Sequence, residues 1–205
     1  GIRAVEFDVR QLKDDTLVIM HDDNFIRTTG IDQALYDCSS PDLTSYNQAF
    51  IWMDWDKQIT PTLQQTLALL HDFEQIEVEI KAVNSMAEAE RLALELHKQL
   101  RGFEQTGVIT SFDLKIHQAL QQQNSIFKRG LLIEEDIQEK AIEQALELGC
   151  CQIGWMDRLA SDVIIQATQN AQLNISVWTV NNIERAKYLR DLGIQGLITD
   201  FPKLM

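Results

Sequence analysis

Two acids two residues apart interrupt an otherwise apolar run near the start of the chain: Glu6 and Asp8 in AVEFDV, residues 4–9. Side chains of an extended strand alternate between faces, so both carboxylates point the same way. The arrangement repeats in IEVEIK, residues 76–81, where Glu77 and Glu79 share a parity with Lys81. Carboxylates gathered on a buried face are unfavourable unless a cation neutralises them. Three oxygen donors from Glu6, Asp8 and Glu79 suit Mg2+ or Ca2+, with water or substrate oxygens filling the other positions. Acids ion-paired at strand ends without a metal are the competing reading of the same spacing.

His21 follows the apolar run TLVIM and precedes Asp22 and Asp23. A histidine beside carboxylates suits proton transfer near neutral pH; a structural loop histidine is the alternative. His71, His97 and His117 fall in helical patterns and read as surface or packing residues. Lys81 suits either a phosphate partner or a Schiff-base nucleophile. Glu79 beside it favours the charged, ion-pairing form. Phe112 and Trp178, near the ends of two further runs, would form an apolar wall for a substrate or pack in the core.

The elements that must position these residues alternate. Strands are expected at 4–9, 76–81, 107–112, 127–133, 151–155, 175–180 and 196–200. Helices are expected at 61–73, 85–100, about 113–123, about 135–148, near 159–172 and at 182–192. Thr60 reads as N-cap of the first helix, with Pro61 in its first turn. Gly149 and Gly193 end two others. TLVIM, 16–20, follows the first strand too closely for a crossover helix, so it reads as a hairpin arm after the turn LKDD. Strands mostly apolar on both faces, alternating with helices, indicate a parallel sheet covered by helices. An open doubly wound sheet would open with a Gly-rich turn, and none is present. The polar residues cluster at strand C-terminal ends: Glu6, Asp8, Glu79, Lys81, Ser111, Trp178 with Asn181, and Asp200. A TIM-type (β/α)8 barrel brings those ends to one mouth. Seven strands fit such units where the barrel has eight, so the expectation is a barrel lacking its first βα unit, with that unit upstream of residue 1. The whole of 1–205 reads as one domain, with an insertion at about 24–60. That insertion contains YDCSSPD and an aromatic patch, FIWMDW at 50–55, and long excursions of this kind serve as lids or caps.

Composition narrows the partners. The 205 residues are 45% hydrophobic, enough for one well-filled core. Acids outnumber bases 31 to 18, a formal charge of −13, and no Lys/Arg cluster is present to neutralise phosphates, which argues against nucleic acid. No apolar stretch reaches the roughly 20 residues of a membrane span. Three cysteines, Cys38, Cys150 and Cys151, two of them adjacent, have no metal-ligand spacing and fit a reducing compartment.

Together VEFDV (5–9), KDDTLVIMHD (13–22), TPTL (60–63), EVEIK (77–81), TSF (110–112), VWTVN (177–181) and GIQGLITDFP (193–202) resemble, in order and over essentially the whole chain, the glycerophosphodiester phosphodiesterase family. The resemblance implies a TIM-type barrel that hydrolyses glycerophosphodiesters to glycerol 3-phosphate and an alcohol. It implies one divalent cation held by Glu6, Asp8 and Glu79, and His21 as one of two acid–base histidines. Lys81 would bind the phosphate, with Phe112 and Trp178 lining the site. The modest insertion resembles that of compact cytoplasmic members. The family's opening His-Arg-Gly strand and the Glu-Asn pair after it are absent from this sequence, in agreement with the strand count, and their absence implies a catalytically crippled chain. Three rivals remain. A phospholipase-type phosphodiesterase on intact or lyso-lipids would use FIWMDW as an apolar rim. A Schiff-base aldolase would use Lys81. A non-catalytic phosphate-binding relative would lack the first catalytic histidine.

Overall fold

The structure, a computed structural model, describes residues 2–203. The first strand, β1 (Ala4–Gln11), turns through Leu12–Thr16 and pairs antiparallel with β2 (Leu17–Ile19). Asp15 takes the left-handed conformation in that turn, at φ 64°. After β2 come a short helix α1 (Ile26–Thr29), two 3-10 turns, and α2 (Leu63–Leu67). Strand and helix then alternate: β3 (Gln75–Ile80), α3 (Met86–Gln99), β4 (Gly107–Ser111), α4 (Leu114–Gln122), β5 (Lys128–Ile133), α5 (Glu139–Glu147), β6 (Gln152–Met156), α6 (Asp162–Asn170), β7 (Asn174–Trp178), α7 (Ile183–Asp191) and β8 (Gly196–Leu197). The sheet order is β2-β1-β3-β4-β5-β6-β7-β8, and every pair but β1/β2 is parallel. Seven parallel strands in sequence order, each crossover covered by a helix, curl as a TIM-type barrel.

The curl is visible in the interior. Gln152 on β6 donates to Ser176 on the neighbouring β7 at 3.2 Å and also to Glu77 on β3 at 3.0 Å, a bond that reaches across the curled sheet rather than along it. The two strand faces divide by parity. Outward residues are apolar: Phe7, Val9, Ile76, Val78, Ile80 and Ile109 pack under α2, α3 and α4. Leu131, Ile133, Ile153, Trp155, Ile175 and Val177 pack under α5, α6 and α7. Inward residues are mostly small or polar, Glu6, Glu77, Thr110, Gly130, Gln152, Gly154, Ser176 and Gly196, with the apolar Val108 and Leu132 in register among them. The expectation of strands mostly apolar on both faces is therefore corrected. The helix-facing layer is the mainly apolar one, because the curled interior has room for small residues and for a hydrogen-bonded polar plug beside Val108 and Leu132.

The first helix of the series is also corrected. It runs 63–67, not 61–73, and Thr62 caps it rather than Thr60. Thr62 accepts from Gln65 N while the Gln65 side chain accepts from Thr62 N, a reciprocal capping box. Residues 61–62 are held extended instead, because Ile19 N donates to Pro61 O and Thr62 bridges Val18. Thr60 is buried and accepts from Gln48 Nε2 at 2.6 Å. Gly149 and Gly193 close α5 and α7 in the left-handed region, as their spacing indicates.

Along the edge of β1 opposite β3, only Val9–Gln11 are paired, to β2. Among the described residues no ladder joins β1 to β8, and a cavity of about 450 Å3 lies between them, lined by Val5, Glu6, Glu77, Gly196 and Leu197 among others.

His117 on α4 is a packing residue, as its helical position suggests. It is fully buried; its Nε2 donates to Ser111 O at 3.0 Å and its Nδ1 lies 3.6 Å from Cys150 Sγ. Burial, helped by the Arg129 guanidinium and opposed by the Ser111 carbonyl and Asp113, pushes its pKa down to about 4. An unfolded histidine titrates near about 6.5. Between those values the unfolded chain binds the extra proton, so His117 removes stability as pH falls from about 6.5 to about 4. The total is about 3 kcal/mol. His117→Gln is expected to lower the urea midpoint at pH 7 and to flatten its fall over that window. An unchanged pH profile would contradict the assignment.

Candidate active site

The register of β1 against β3 builds the site. Glu6 pairs with Glu77 and Asp8 with Glu79 in the parallel ladder, and Lys81 N donates to Val9 O just beyond it. Inward parity therefore stacks two rows, Glu6-Asp8-Arg10 and Glu77-Glu79-Lys81, side by side at the strand C-terminal ends. Each of Glu6, Asp8 and Glu79 offers a carboxylate oxygen within 4.8 Å of the others, the cluster expected from the spacing. Lys81 Nζ donates to Asp8 Oδ1 at 2.6 Å and to Glu79 Oε1. One oxygen of each of those carboxylates is left over, and Glu6 Oε1 is buried with no partner.

One lysine does not balance three acids. Burial, then the Asp8 and Glu79 charges, push the Glu6 carboxyl up to about 8. Burial also raises Glu79, against the opposing pull of Lys81. Lys81 itself is disfavoured by burial, but its bonds to Asp8 and Glu79 outweigh that and raise it. An under-neutralised set of hard oxygen donors, one of them orphaned, fits a divalent cation such as Mg2+ or Ca2+.

A mouth cavity of about 450 Å3 gathers these groups. The seven residues given a catalytic, metal-binding or substrate-binding part from the sequence all line it: Glu6, Asp8, His21, Glu79, Lys81, Phe112 and Trp178. Phe112 and Trp178 meet edge to face with centroids 5.4 Å apart, and Trp178 Nε1 donates to Gly154 O at 3.1 Å, which fixes the indole on the wall. His21 stands at the rim. Its Nδ1 is 2.8 Å from Asp22 Oδ1, and Asp22 is gripped by Arg27 through two bonds of 2.5 and 3.1 Å. The Arg27 bond, then that of His21, hold the Asp22 carboxyl below its usual range. Among the described residues His21 is the one histidine of this cavity.

Three groups at the mouth escaped the sequence reading. Arg10 shares the parity of Glu6 and Asp8; its Nε donates to His21 O at 2.9 Å, tying the histidine's backbone to β1. The strand pattern carried that signal, one step past Asp8. Thr110 is buried with an unpartnered hydroxyl, and Glu134 follows the end of β5. Glu77, expected to echo the acid pair, forms the floor instead. Its Oε1 accepts from Gln75 and Gln152, its Oε2 has no partner, and burial raises its pKa. Three polar residues expected at the mouth have other work. Ser111 faces outward and donates to Ile80 O at 2.6 Å, and Asn181 donates to Asp200 at 2.7 Å, so neither pair of groups lines the cavity.

No helix among the described residues is long and apolar enough to cross a membrane. YhdW of Bacillus subtilis is 25% identical over 206 residues, covering 97% of this chain and 82% of that protein. A phosphodiesterase from Oleispira antarctica, solved with the product sn-glycerol-3-phosphate, superposes at a TM-score of 0.87 with 19% identity, covering 100% of this chain and 83% of that one. A glycerophosphodiester phosphodiesterase from Thermotoga maritima superposes at 0.78 with 23% identity, covering 100% and 86%. The sequence profile of one family, the glycerophosphoryl diester phosphodiesterases, runs from residue 1 to residue 204. Barrel, mouth and profile agree, and the chain belongs to that family of phosphoric diester hydrolases.

Proposed function

We propose that this protein hydrolyses glycerophosphodiesters to glycerol 3-phosphate and an alcohol with the help of one divalent cation. The acid cluster of Glu6, Asp8 and Glu79 around Lys81 carries the reading. Glu6, Asp8 and Glu79 would hold the ion, Mg2+ or Ca2+, which supplies positive charge on the non-bridging oxygens of the ester. Lys81 adds a second cation at the same oxygens, kept protonated by its two carboxylate partners. Phe112 and Trp178 hold the apolar part of the substrate against the wall. The attacking oxygen, from water or from the neighbouring glycerol hydroxyl, must lose a proton, and the leaving alcohol must gain one. His21 gives that proton to the leaving alcohol, oriented by Asp22. Three free cysteines support a reducing, cytoplasmic setting.

Glycerophosphocholine is the test substrate, given to the protein expressed from its natural start. The protein should release glycerol 3-phosphate and choline and lose that release in chelator. Turnover in chelator at full rate overturns the reading. So does a borohydride-trapped adduct on Lys81, which belongs to the aldolase alternative. Faster turnover of lysophosphatidylcholine than of glycerophosphocholine would transfer the site to lipid substrates.

A further inference from the structure

The segment between α1 and α2 carries a cluster that the mouth does not use. Residues 50–59 are all exposed, and among them are Phe50, Ile51, Trp52, Met53, Trp55 and Ile59. Met53 is 96% exposed and Trp55 69%. Soluble surfaces scatter such side chains singly; here six fall in one ten-residue run. The run is not loosely tethered. Its neck is closed where Gln48 N donates to Gln58 O at 2.8 Å and where Gln58 N and Ala49 N share Asn47 Oδ1. Two turns follow, Trp52 N to Ala49 O and Trp55 N to Trp52 O. Gln48 Nε2 bolts the neck to the buried Thr60, and Lys57 Nζ caps Thr44 O. The result is a preorganised finger with Trp52 and Trp55 walling an apolar groove over Ala49.

We infer that this finger docks the protein on the surface of a zwitterionic phospholipid bilayer. Trp and Phe favour the interfacial zone, where an apolar ring meets wet headgroups. Internal turn bonds already satisfy part of the finger's backbone, which lowers the penalty of shallow insertion. Charge selects the lipid. Asp54 and Asp56 sit within the run, its one lysine is engaged, and the chain carries −13, so an anionic bilayer is repelled. Size argues against a second copy as occupant: a stable dimer takes about 20–30 residues a side, and two copies would bring like charges together. This docking goes beyond the hydrolytic reading and does not depend on it.

The test is co-sedimentation of the protein with vesicles of phosphatidylcholine, read together with tryptophan emission. Binding with a blue shift is expected, nearly insensitive to salt and weakened when a third of the lipid is phosphatidylglycerol. The double substitution Trp52→Ala/Trp55→Ala should weaken binding by at least about tenfold, since burial of one large apolar side chain is worth about that factor or more. An unchanged urea midpoint keeps a folding defect out of the comparison, and the single substitution Met53→Asp serves if the double variant fails to fold. No binding to phosphatidylcholine overturns the inference. So does binding that survives these substitutions, or that strengthens on anionic vesicles. A dimer in sedimentation equilibrium that the same substitutions dissociate would assign the finger to a second copy.

Discussion

Saturating Ca2+ or Mg2+ is expected to raise the melting temperature of this chain by about 5–10 °C, with no turnover required. A ligand present at 100 times its Kd and bound only by the folded state stabilises by about 2.7 kcal/mol, and each kcal/mol is worth about 2–4 °C for a chain of this size. The shift should vanish in Glu6→Gln, Asp8→Asn and Glu79→Gln alike. Without the ion the three variants should part company. Glu6→Gln should leave the chain as stable or more so, because the carboxylate it removes is crowded by Asp8 and Glu79 and has a buried oxygen with no partner. Glu79→Gln and Asp8→Asn should destabilise, because each takes a partner from the half-buried Lys81. A metal-free cluster of ion-paired acids predicts the opposite at the decisive point: no thermal shift in the parent chain. Differential scanning calorimetry with and without chelator separates the two. An equal shift in parent and Glu6→Gln would put the ion elsewhere.

The candidate site was legible because strand parity is a strict rule. Glu6, Asp8, Glu79 and Lys81 are two residues apart within strands that pair in parallel, so reading their spacing was equivalent to reading their direction. Phe112 and Trp178 followed because both lie at strand ends. The layered interior was less legible. Apolar runs such as GVITSF and CQIGW look buried on both faces, yet Thr110, Gln152 and Gly154 point into the barrel, where Gln152 meets Glu77 from a distant strand and Thr110 keeps an unpartnered hydroxyl. A hydrogen bond between residues 77 and 152 depends on the curl of the whole sheet, which no local pattern encodes. Thr62 displaced Thr60 as the helix cap for a similar reason: the backbone of Pro61–Thr62 was already claimed by the hairpin arm. Ser111 at a strand end carries an odd, outward parity, and attention to that parity would have removed it from the mouth.

His21 should reveal its part through the leaving group. In the protein expressed from its natural start, His21→Ala is expected to slow hydrolysis of glycerophosphocholine by about 10²–10⁴-fold, the usual span for loss of a general acid or base. Choline departs as an alkoxide unless it is protonated. A p-nitrophenyl ester of glycerol phosphate needs no such help, because its phenolate is stable near neutral pH. The same variant should therefore slow the nitrophenyl substrate by less than about tenfold. Asp22 acts through His21 rather than on the substrate, so Asp22→Asn should show the same pattern at smaller size, in kcat rather than KM. Arg27, which holds both Asp22 oxygens, should follow it: Arg27→Ala imitates Asp22→Asn, and Arg27→Lys recovers part of the loss, because a point charge keeps the attraction but not the two-bond grip. Equal slowing of both substrates by His21→Ala would move His21 to the other side of the phosphorus, where the attacking oxygen gives up its proton. The leaving-group side would then require a different acid, and Asp22 would orient a base.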